Sequence, residues 1–212
     1  MIFDATLFDL QEAATIILNS SIDTPNVNVL SSPTSTFTVP SRVRALCQGA
    51  NNVTVTIKGT DIDGNLIEEE LLLESVLDDY YSAKYYVSVY WFSSDTATTG
   101  CTADFGNDNG IATRTLVLSI QQSPFNATVA LNNVARGTTV TAEVQYTVDD
   151  ASATDFANSA TWHTVPNTTL ETGSAIVGLD SAVTALRGII GTDSGISFLD
   201  AWEFVFIQGE QG

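Results

Sequence analysis

The sequence predicts an all-β protein made of two tandem β-sandwich domains, of the immunoglobulin-like or jelly-roll-like kind, with an N-terminal arm or short helix. The chain has 212 residues, a length that suits two sandwiches of about 100 residues each. Residues 53–73 and 140–150 alternate apolar and polar side chains and break at acidic turns, which is typical of half-buried strands. Short strands separated by turn residues recur in both halves of the chain, and this spacing favours sandwiches.

The predicted domain boundary lies near residues 107–110, where the sequence is rich in Asn, Asp and Gly. We expect residues 1–35 to form an N-terminal arm and a first strand, residues 36–110 the first sandwich with part of the arm, and residues 111–212 the second sandwich. Residues 4–18 fit either a short amphipathic helix or an extended arm. The arm is preferred, because the β-branched residues in this segment weaken the helix.

Alternation along the chain places the remaining strands. In the first domain we expect strands at 37–39, 42–47 and 84–92 beside the 53–73 hairpin. The stretch 93–110 is rich in small and turn-forming residues and is predicted to be a loop. The second domain is expected to contain strands at residues 115–120, 125–131, 139–148, 160–165, 183–190 and 202–207.

The 53–73 hairpin can form in two registers. A two-residue turn would set Ile57 opposite Glu70. A three-residue loop sets Ile57 opposite Leu71 and leaves Lys58 to face Glu70, so that one face is apolar and the charges pair on the other. The three-residue loop is therefore predicted. Its members are Asp63, Gly64 and Asn65, of which Asp63 and Gly64 are assigned a structural role.

Residues 84–92 form the most aromatic predicted strand, and strict alternation gives it bulky side chains on both faces. Tyr85, Val87, Val89 and Trp91 would share one face, and Tyr86, Ser88, Tyr90 and Phe92 the other. A strand of this kind is central or lies at an interface, so we expect a homo-oligomer, with a trimer preferred. A sugar-stacking platform is the alternative to core and subunit interface. The candidate interface residues are Tyr85, Tyr86, Tyr90, Trp91 and Phe92.

The charge balance limits the partners. The chain has 7 Lys and Arg against 25 Asp and Glu, a net charge of −18. Nucleic-acid binding needs clustered basic residues, so we expect no nucleic-acid partner, and an anionic membrane surface would repel the chain. No apolar stretch reaches the length of a membrane helix, and the N-terminus lacks the pattern of a secretory signal. The acidic surface either keeps the protein soluble or docks on a basic partner.

No pattern of catalytic or metal-ligating residues emerges. His163, the one histidine, follows Trp162 in an alternating strand, and the chain has no Gly-x-Ser-x-Gly motif. Residues 61–65 resemble a calcium loop only superficially and fit a hairpin turn better. The acidic residues at 68–79 suit a solvated face better than a pair of glycosidase carboxylates. We therefore predict no enzymatic activity, no cofactor and no metal site.

Cys47 and Cys101 form no CxxC motif. They fit either one disulfide or two free, buried thiols, and the thiols are preferred because nothing indicates an oxidising compartment. Arg187 shares a predicted strand face with Val183 and Ala185. Because an isolated buried charge is costly, we expect Arg187 to play a structural role by pairing with a carboxylate or capping backbone carbonyls. The candidate carboxylates are Asp149, Asp150 and Asp180.

Several segments follow one another in a familiar order. TVTIKGTDIDGNLIEEELLL at residues 54–73 is followed by TTGCTADFGNDNG, SPFNATVAL, VQYTVDD and a Trp-containing strand, and the chain then closes with VTALRGIIG and FVFIQG. This order resembles that of tailed-bacteriophage virion structural proteins over roughly residues 40–210. Two positions depart from the closing pattern of those proteins: Ala182, where proline is usual, and Leu186, where isoleucine is usual.

The resemblance implies a non-enzymatic component of the virion. The preferred role is a capsid decoration or cement protein that binds the major capsid protein on the particle exterior and is made in the host cytoplasm. The acidic balance suits that exterior and not a DNA-facing lining. A tail or neck accessory protein, bound to tail proteins, is the alternative among structural roles. A carbohydrate-binding or host-recognition module that uses the aromatic strand is the alternative from another class.

Overall fold

The computed structural model is that of an all-β chain, and the strands of its described residues form four antiparallel sheets. Among the described residues, the α-helix is the four-residue segment α1, Phe156–Ser159. No helix in this part of the chain is long and apolar enough to cross a membrane. The structure describes residues 2–7, 15–30, 39–48, 52–74, 78–106, 110–118, 127–135, 140–170, 173–179, 183–192 and 201–208.

Sixteen strands are defined in these residues. In chain order they are β1 Ile2–Leu7, β2 Thr15–Ile22, β3 Val43–Cys47, β4 Val53–Thr60, β5 Leu66–Leu73, β6 Tyr80–Tyr81, β7 Ser88–Ser94, β8 Thr98–Phe105, β9 Ile111–Ala112, β10 Leu116–Val117, β11 Ala127–Ala135, β12 Val140–Thr147, β13 His163–Thr164, β14 Ser174–Leu179, β15 Ala185–Thr192 and β16 Ala201–Gln208.

The chain divides into two compact units, and the division differs from a simple tandem order. The first unit is Glu12–Ile111, and the second unit combines Met1–Gln11 with Ala112–Gly212. The predicted arm of residues 1–35 is therefore divided: residues 12–35 belong to the first unit, as expected for part of the arm, whereas residues 1–11 contribute β1 to the second unit, where it pairs with β16. Pairing between strands about 200 residues apart leaves no trace in local alternation, which explains the difference.

The first unit contains a sheet of order β2-β8-β3-β6 and a sheet of order β5-β4-β7. The stretch predicted to be a loop at 93–110 instead forms β8, a central strand of the first of these sheets. Its small and β-branched residues fit a strand with neighbours on both sides, and Cys101 and Ala103 are fully buried. The loop prediction was therefore wrong for most of this stretch.

The second unit contains a sheet of order β1-β16-β11-β14 and a sheet of order β10-β15-β12-β13, with β9 also paired to β15. Alternate side chains of β16 are buried, as predicted for a half-buried strand. These are the three aromatic residues Trp202, Phe204 and Phe206. The predicted strand at 37–39 lies mainly outside the described residues.

Cys47 and Cys101 form a disulfide. They lie directly opposite each other on β3 and β8, and their side chains are 1% and 0% exposed. The preference for two free thiols was wrong because it was based on the lack of compartment signals. The antiparallel pairing of two strands that are distant in sequence brings the sulfur atoms together.

The β4–β5 hairpin has the predicted loop length of three residues, but the loop is Ile62, Asp63 and Gly64. Asp61 N donates to Asn65 O at 3.0 Å, so these two residues pair directly beneath the loop. Gly64 adopts φ +83° and donates its N–H to Asp61 O at 3.1 Å. This is a type I turn followed by a left-handed residue, a conformation that favours glycine at position 64.

The shift of the loop by one residue changes the partners across the hairpin. Ile57 lies opposite Glu69 and Lys58 opposite Glu68, where Leu71 and Glu70 were predicted. Moving both ends of the loop by one residue shifts each residue of β4 by two positions relative to β5. Because the side-chain period of a strand is two residues, every side chain stays on its predicted face. Val53, Val55 and Ile57 are accordingly buried on one face.

Candidate interaction surface

A β-bulge in β7 decides which aromatic side chains reach the surface. Lys58 of β4 pairs with Trp91, and the next residue, Gly59, pairs with Val89, so that Tyr90 is the extra residue. Beyond the bulge, each side chain therefore lies on the opposite face from the one that strict alternation along 84–92 predicts relative to Val89. Val89 and Phe92 consequently point to the buried face of the sheet, and Trp91 points to the outer face.

Tyr86 and Phe92 are fully buried inside the first unit. Their assignment to an interface is corrected, because a side chain without exposed area contributes to the core and not to a surface. The Tyr86 ring packs where a side chain at Gly59 would otherwise lie, since a Cβ built at Gly59 would be 2.6 Å from Tyr86 Cδ1. Tyr85, Tyr90 and Trp91 are half-buried and remain candidates for contact with a partner.

The outer face of the β5-β4-β7 sheet carries one row of three interacting side chains. Lys58 Nζ is 2.9 Å from Glu68 Oε2 on β5 and 5.6 Å from the centroid of the Trp91 ring on β7. Trp91 Nε1 donates to Ser93 Oγ at 2.9 Å. These contacts hold the indole ring in place on the sheet, and the attraction between the ammonium and the ring adds to packing.

Apolar side chains lie at both ends of β5 on the same outer face. Leu66 is 67% and Leu72 45% exposed, and the register puts them opposite Thr60 and Thr54. The face thus combines a Trp, a Lys–Glu pair, threonines and exposed leucines. We name this face, defined by Lys58, Leu66, Glu68, Leu72 and Trp91, the outer sheet face.

Asn28 holds the bulge in place, a role that no sequence pattern indicated. Asn28 Nδ2 donates to Tyr90 O at 3.0 Å, and Asn28 Oδ1 accepts the N–H of Phe92 at 3.1 Å. A bulge leaves ladder groups without a strand partner, and the amide side chain supplies both a donor and an acceptor. Backbone bonds from Asn26 and Val29 to β7 continue this contact along the strand.

Glu69 anchors the turn that precedes the aromatic strand. It lies between Glu68 and Glu70, which are exposed, but its own carboxylate accepts the N–H groups of Ala83 at 2.7 Å and Lys84 at 3.0 Å. Hydrogen bonds to a carboxylate are stronger than neutral ones. The alternation in β5 had already put Glu69 on the face opposite its two acidic neighbours, but its partners only follow from the fold.

Tyr86 makes the stability of the first unit sensitive to alkaline pH. Burial raises the pKa of the Tyr86 phenol well above its ordinary value, and the charges of Glu69 and Glu68 raise it further. The folded state therefore favours the protonated phenol, so this contribution is complete below pH 10 and is lost as the pH rises above it. We expect wild type to lose up to about 1.4 kcal/mol per pH unit above 10, measured by urea unfolding between pH 9 and 11.

Tyr86→Phe should remove much of this alkaline loss. At pH 7 the variant should be as stable as wild type or up to about 1 kcal/mol more stable, because the buried Tyr86 hydroxyl has no hydrogen-bond partner in the described part of the chain. Tyr90→Phe, which removes the hydroxyl of a half-buried tyrosine on β7, is the matched control. If Tyr86→Phe loses as much stability between pH 9 and 11 as wild type does, another group causes the alkaline loss.

Arg187 lies on β15 between an amide and an aromatic ring. Its Nε and Nη2 donate to Gln145 Oε1 at 3.0 and 2.8 Å, and its guanidinium carbon is 4.1 Å from the centroid of the Trp162 ring. Asp149 and Asp150 instead accept bonds from their own loop, from Thr161 N and Ser152 N. Asp180 lies outside the described residues. Within the described residues, Arg187 is thus held by stacking on Trp162 and by two hydrogen bonds to one oxygen of Gln145, and its pairing with Asp180 stays a prediction.

The other candidate sites have structural uses. The imidazole of His163 is exposed and lies 5.5 Å from the Tyr146 ring, centroid to centroid. Asp61 Oδ1 accepts the N–H groups of Asp63 and Asn65, so the carboxylate closes the hairpin turn. Within the described residues, no cluster of three or more His, Cys, Asp or Glu side chains is arranged to hold a metal ion.

No family model matches the sequence, and no curated protein matches it at a significant level.

Proposed function

We propose that the protein is a non-enzymatic structural component of a tailed-bacteriophage virion, and specifically a capsid decoration or cement protein with two β-sandwich domains. The order of the segments from TVTIKGTDIDGNLIEEELLL to FVFIQG along the chain suggests this class. The protein would bind the major capsid protein on the particle exterior, and copies would also contact one another, with a trimer preferred. A tail or neck location is the alternative within the same class.

The outer sheet face is the observation that carries the adhesive role. An indole fixed by Lys58 and Ser93, with two exposed leucines on the same sheet face, matches the aromatic and apolar anchors that dominate protein interfaces. The net charge of −18 favours a basic partner and disfavours a DNA-facing position.

The disulfide agrees with a position outside the host cell. The cytosol keeps thiols reduced, so a chain made there would carry free Cys47 and Cys101. Because both residues are buried and directly opposed, the bond would close once the particle meets oxidising surroundings. The protein would then gain stability after release from the host.

A carbohydrate-binding or host-recognition module is the alternative from another class. Trp91 favours it, because a half-buried indole on a sheet, with threonine hydroxyls and the Lys58–Glu68 pair beside it, offers both stacking and polar contacts to a sugar ring.

One binding experiment tests the decoration role. Purified protein is titrated onto expanded, undecorated phage capsids and, separately, onto immobilised host polysaccharide. We expect capsid binding, weakened at least tenfold in Trp91→Ala because an interface anchor is removed. Val148→Ala, which trims a side chain that is 58% exposed in the second unit, is the control and should bind like wild type.

Salt provides a second readout of the same complex. Exposed charges are screened over about 8–10 Å near physiological ionic strength, so docking of the acidic chain on a basic surface should weaken as salt rises. Polysaccharide binding without capsid binding would overturn the decoration role in favour of host recognition. If wild type and Trp91→Ala bind capsids equally well, the capsid contact lies elsewhere than on the outer sheet face.

A further inference from the structure

In the part of the chain that the structure describes, β14 is an edge strand, and it has no charged residue. Ser174–Leu179 has the sequence SAIVGL and pairs with β11 on one side. Ile176 at its centre is 78% exposed, the highest value among the large apolar side chains described. An open edge presents unpaired backbone N–H and C=O groups to any strand that approaches.

The other sheet edges in the described residues are protected. The edge strands β6, β10 and β13 have two residues each, β1 and β2 are interrupted by register shifts, and β7 is covered by backbone bonds from Asn26 and Val29. At β5, three consecutive glutamates line the edge strand, and Lys84 Nζ donates to Glu68 O. Short length, irregularity, cover and charge are the usual devices against edge pairing, and β14 has none of them.

The core of the second unit is also incomplete at β14. Ala175, Val177 and Leu179 face the same side as the buried Leu131, Val129 and Ala127 of β11, by register. The three β11 residues are each 1% exposed, whereas the three β14 residues are only half-buried. A further strand beside β14 would cover them.

We propose that β14 pairs antiparallel with β14 of a second copy of this chain, about a two-fold axis through Ile176. In this register Ile176 lies opposite its own counterpart, Ala175 opposite Val177 and Ser174 opposite Gly178. The two four-stranded sheets then become one continuous sheet of eight strands. On the outer side, one row across the sheet contains Ile176, Ala130 and Val205. In the dimer this row continues into the equivalent row of the second copy.

The uncharged sequence of β14, which fits its own copy side chain by side chain, favours a second copy as the occupant, although the net charge of the whole chain opposes association. Each chain carries −18, so two copies repel through most of their surface. Strand β14 has no charged residue, so self-pairing centred on Ile176 brings no charges together along the strand. It also places small or apolar residues opposite one another at every position. A register centred on Val177 would instead set Ile176 opposite Gly178 and leave its side chain uncovered. The two-fold contact is isologous, it is separate from the trimer proposed above, and it does not depend on the virion role.

Cysteine cross-linking tests the register. Directly opposed residues in an antiparallel pair have Cα atoms about 4.5–5.5 Å apart, within disulfide range. Ile176→Cys should therefore form a covalent dimer under mild oxidation. Ser174→Cys is the matched control, since two such residues would be offset by four positions, about 13 Å along the strand. A covalent dimer of Ser174→Cys with none of Ile176→Cys would overturn the proposed pairing.

Sedimentation velocity without capsids tests the contact itself. Wild type should dimerise at micromolar concentration, and Ile176→Lys should raise the dissociation constant at least 100-fold. Ile16→Lys is the control: Ile16 is 60% exposed and also lies on an edge strand, but one with register shifts. Circular dichroism checks that each variant is folded. A monomeric wild type at 100-fold higher concentration would overturn self-pairing and leave β14 as an acceptor for a strand of another protein.

Discussion

Reduction of the Cys47–Cys101 bond is expected to lower the free energy of unfolding of the first unit by about 4 kcal/mol. The bond joins residues 54 positions apart, and it therefore restricts a long loop of the unfolded chain that contains β4 to β7. Urea unfolding with and without a phosphine reductant measures the difference. The second unit contains no cysteine and should unfold at the same urea concentration in both conditions.

The double variant Cys47→Ala and Cys101→Ala separates the cross-link from side effects of the reductant. It should unfold like the reduced wild type and show no response to reductant. If oxidised and reduced wild type unfold at the same urea concentration, the backbone pairing of β3 with β8 alone sets the stability, and the proposed gain after release from the host is lost.

The all-β class was predictable because alternation is a local property. Residues 53–60 and 140–147 show it without interruption, and both form strands; alternate side chains are buried along the first, and Ala142 and Val144 are buried in the second. Loop parity in the 53–73 hairpin was also predictable, since only an odd loop puts the apolar residues of both strands on one face. The exact loop residues depended on Gly64 taking a left-handed conformation next to Asn65, where either residue type is tolerated.

Features made by distant pairing were not predictable. β8 reads as a loop because Thr, Gly and Ala dominate it, and only its position between β2 and β3 explains why it is a strand. The bulge at Tyr90 depends on Asn28, more than 60 residues away, and without it Trp91 was assigned to the same face as Val89. Of the five residues predicted for the candidate interface, Tyr86 and Phe92 therefore lie in the core, and the other three stay candidates.

Gly188→Ala is expected to destabilise the second unit by about 3 kcal/mol, at the upper end of ordinary overpacking. A Cβ built at Gly188 on β15 would lie 2.3 Å from Phe204 Cδ1 on β16, and Phe204 is fully buried. The backbone has little freedom to withdraw, because Thr113 bonds both the N–H and the C=O of Gly188. Gly191→Ala is the matched control on the same strand: its Cβ would meet only Thr141 O, at 3.8 Å.

A second substitution identifies the cause of the loss. If the Phe204 ring is the obstacle, Gly188→Ala combined with Phe204→Leu should be more stable than the sum of the two single effects predicts, since residues in contact are not additive. Urea unfolding of the wild type, the two single variants and the double variant gives this interaction energy directly. Additive losses would show that the methyl group strains the β15 backbone itself, and that close packing of the Phe204 ring on Gly188 contributes little to the stability of the second unit.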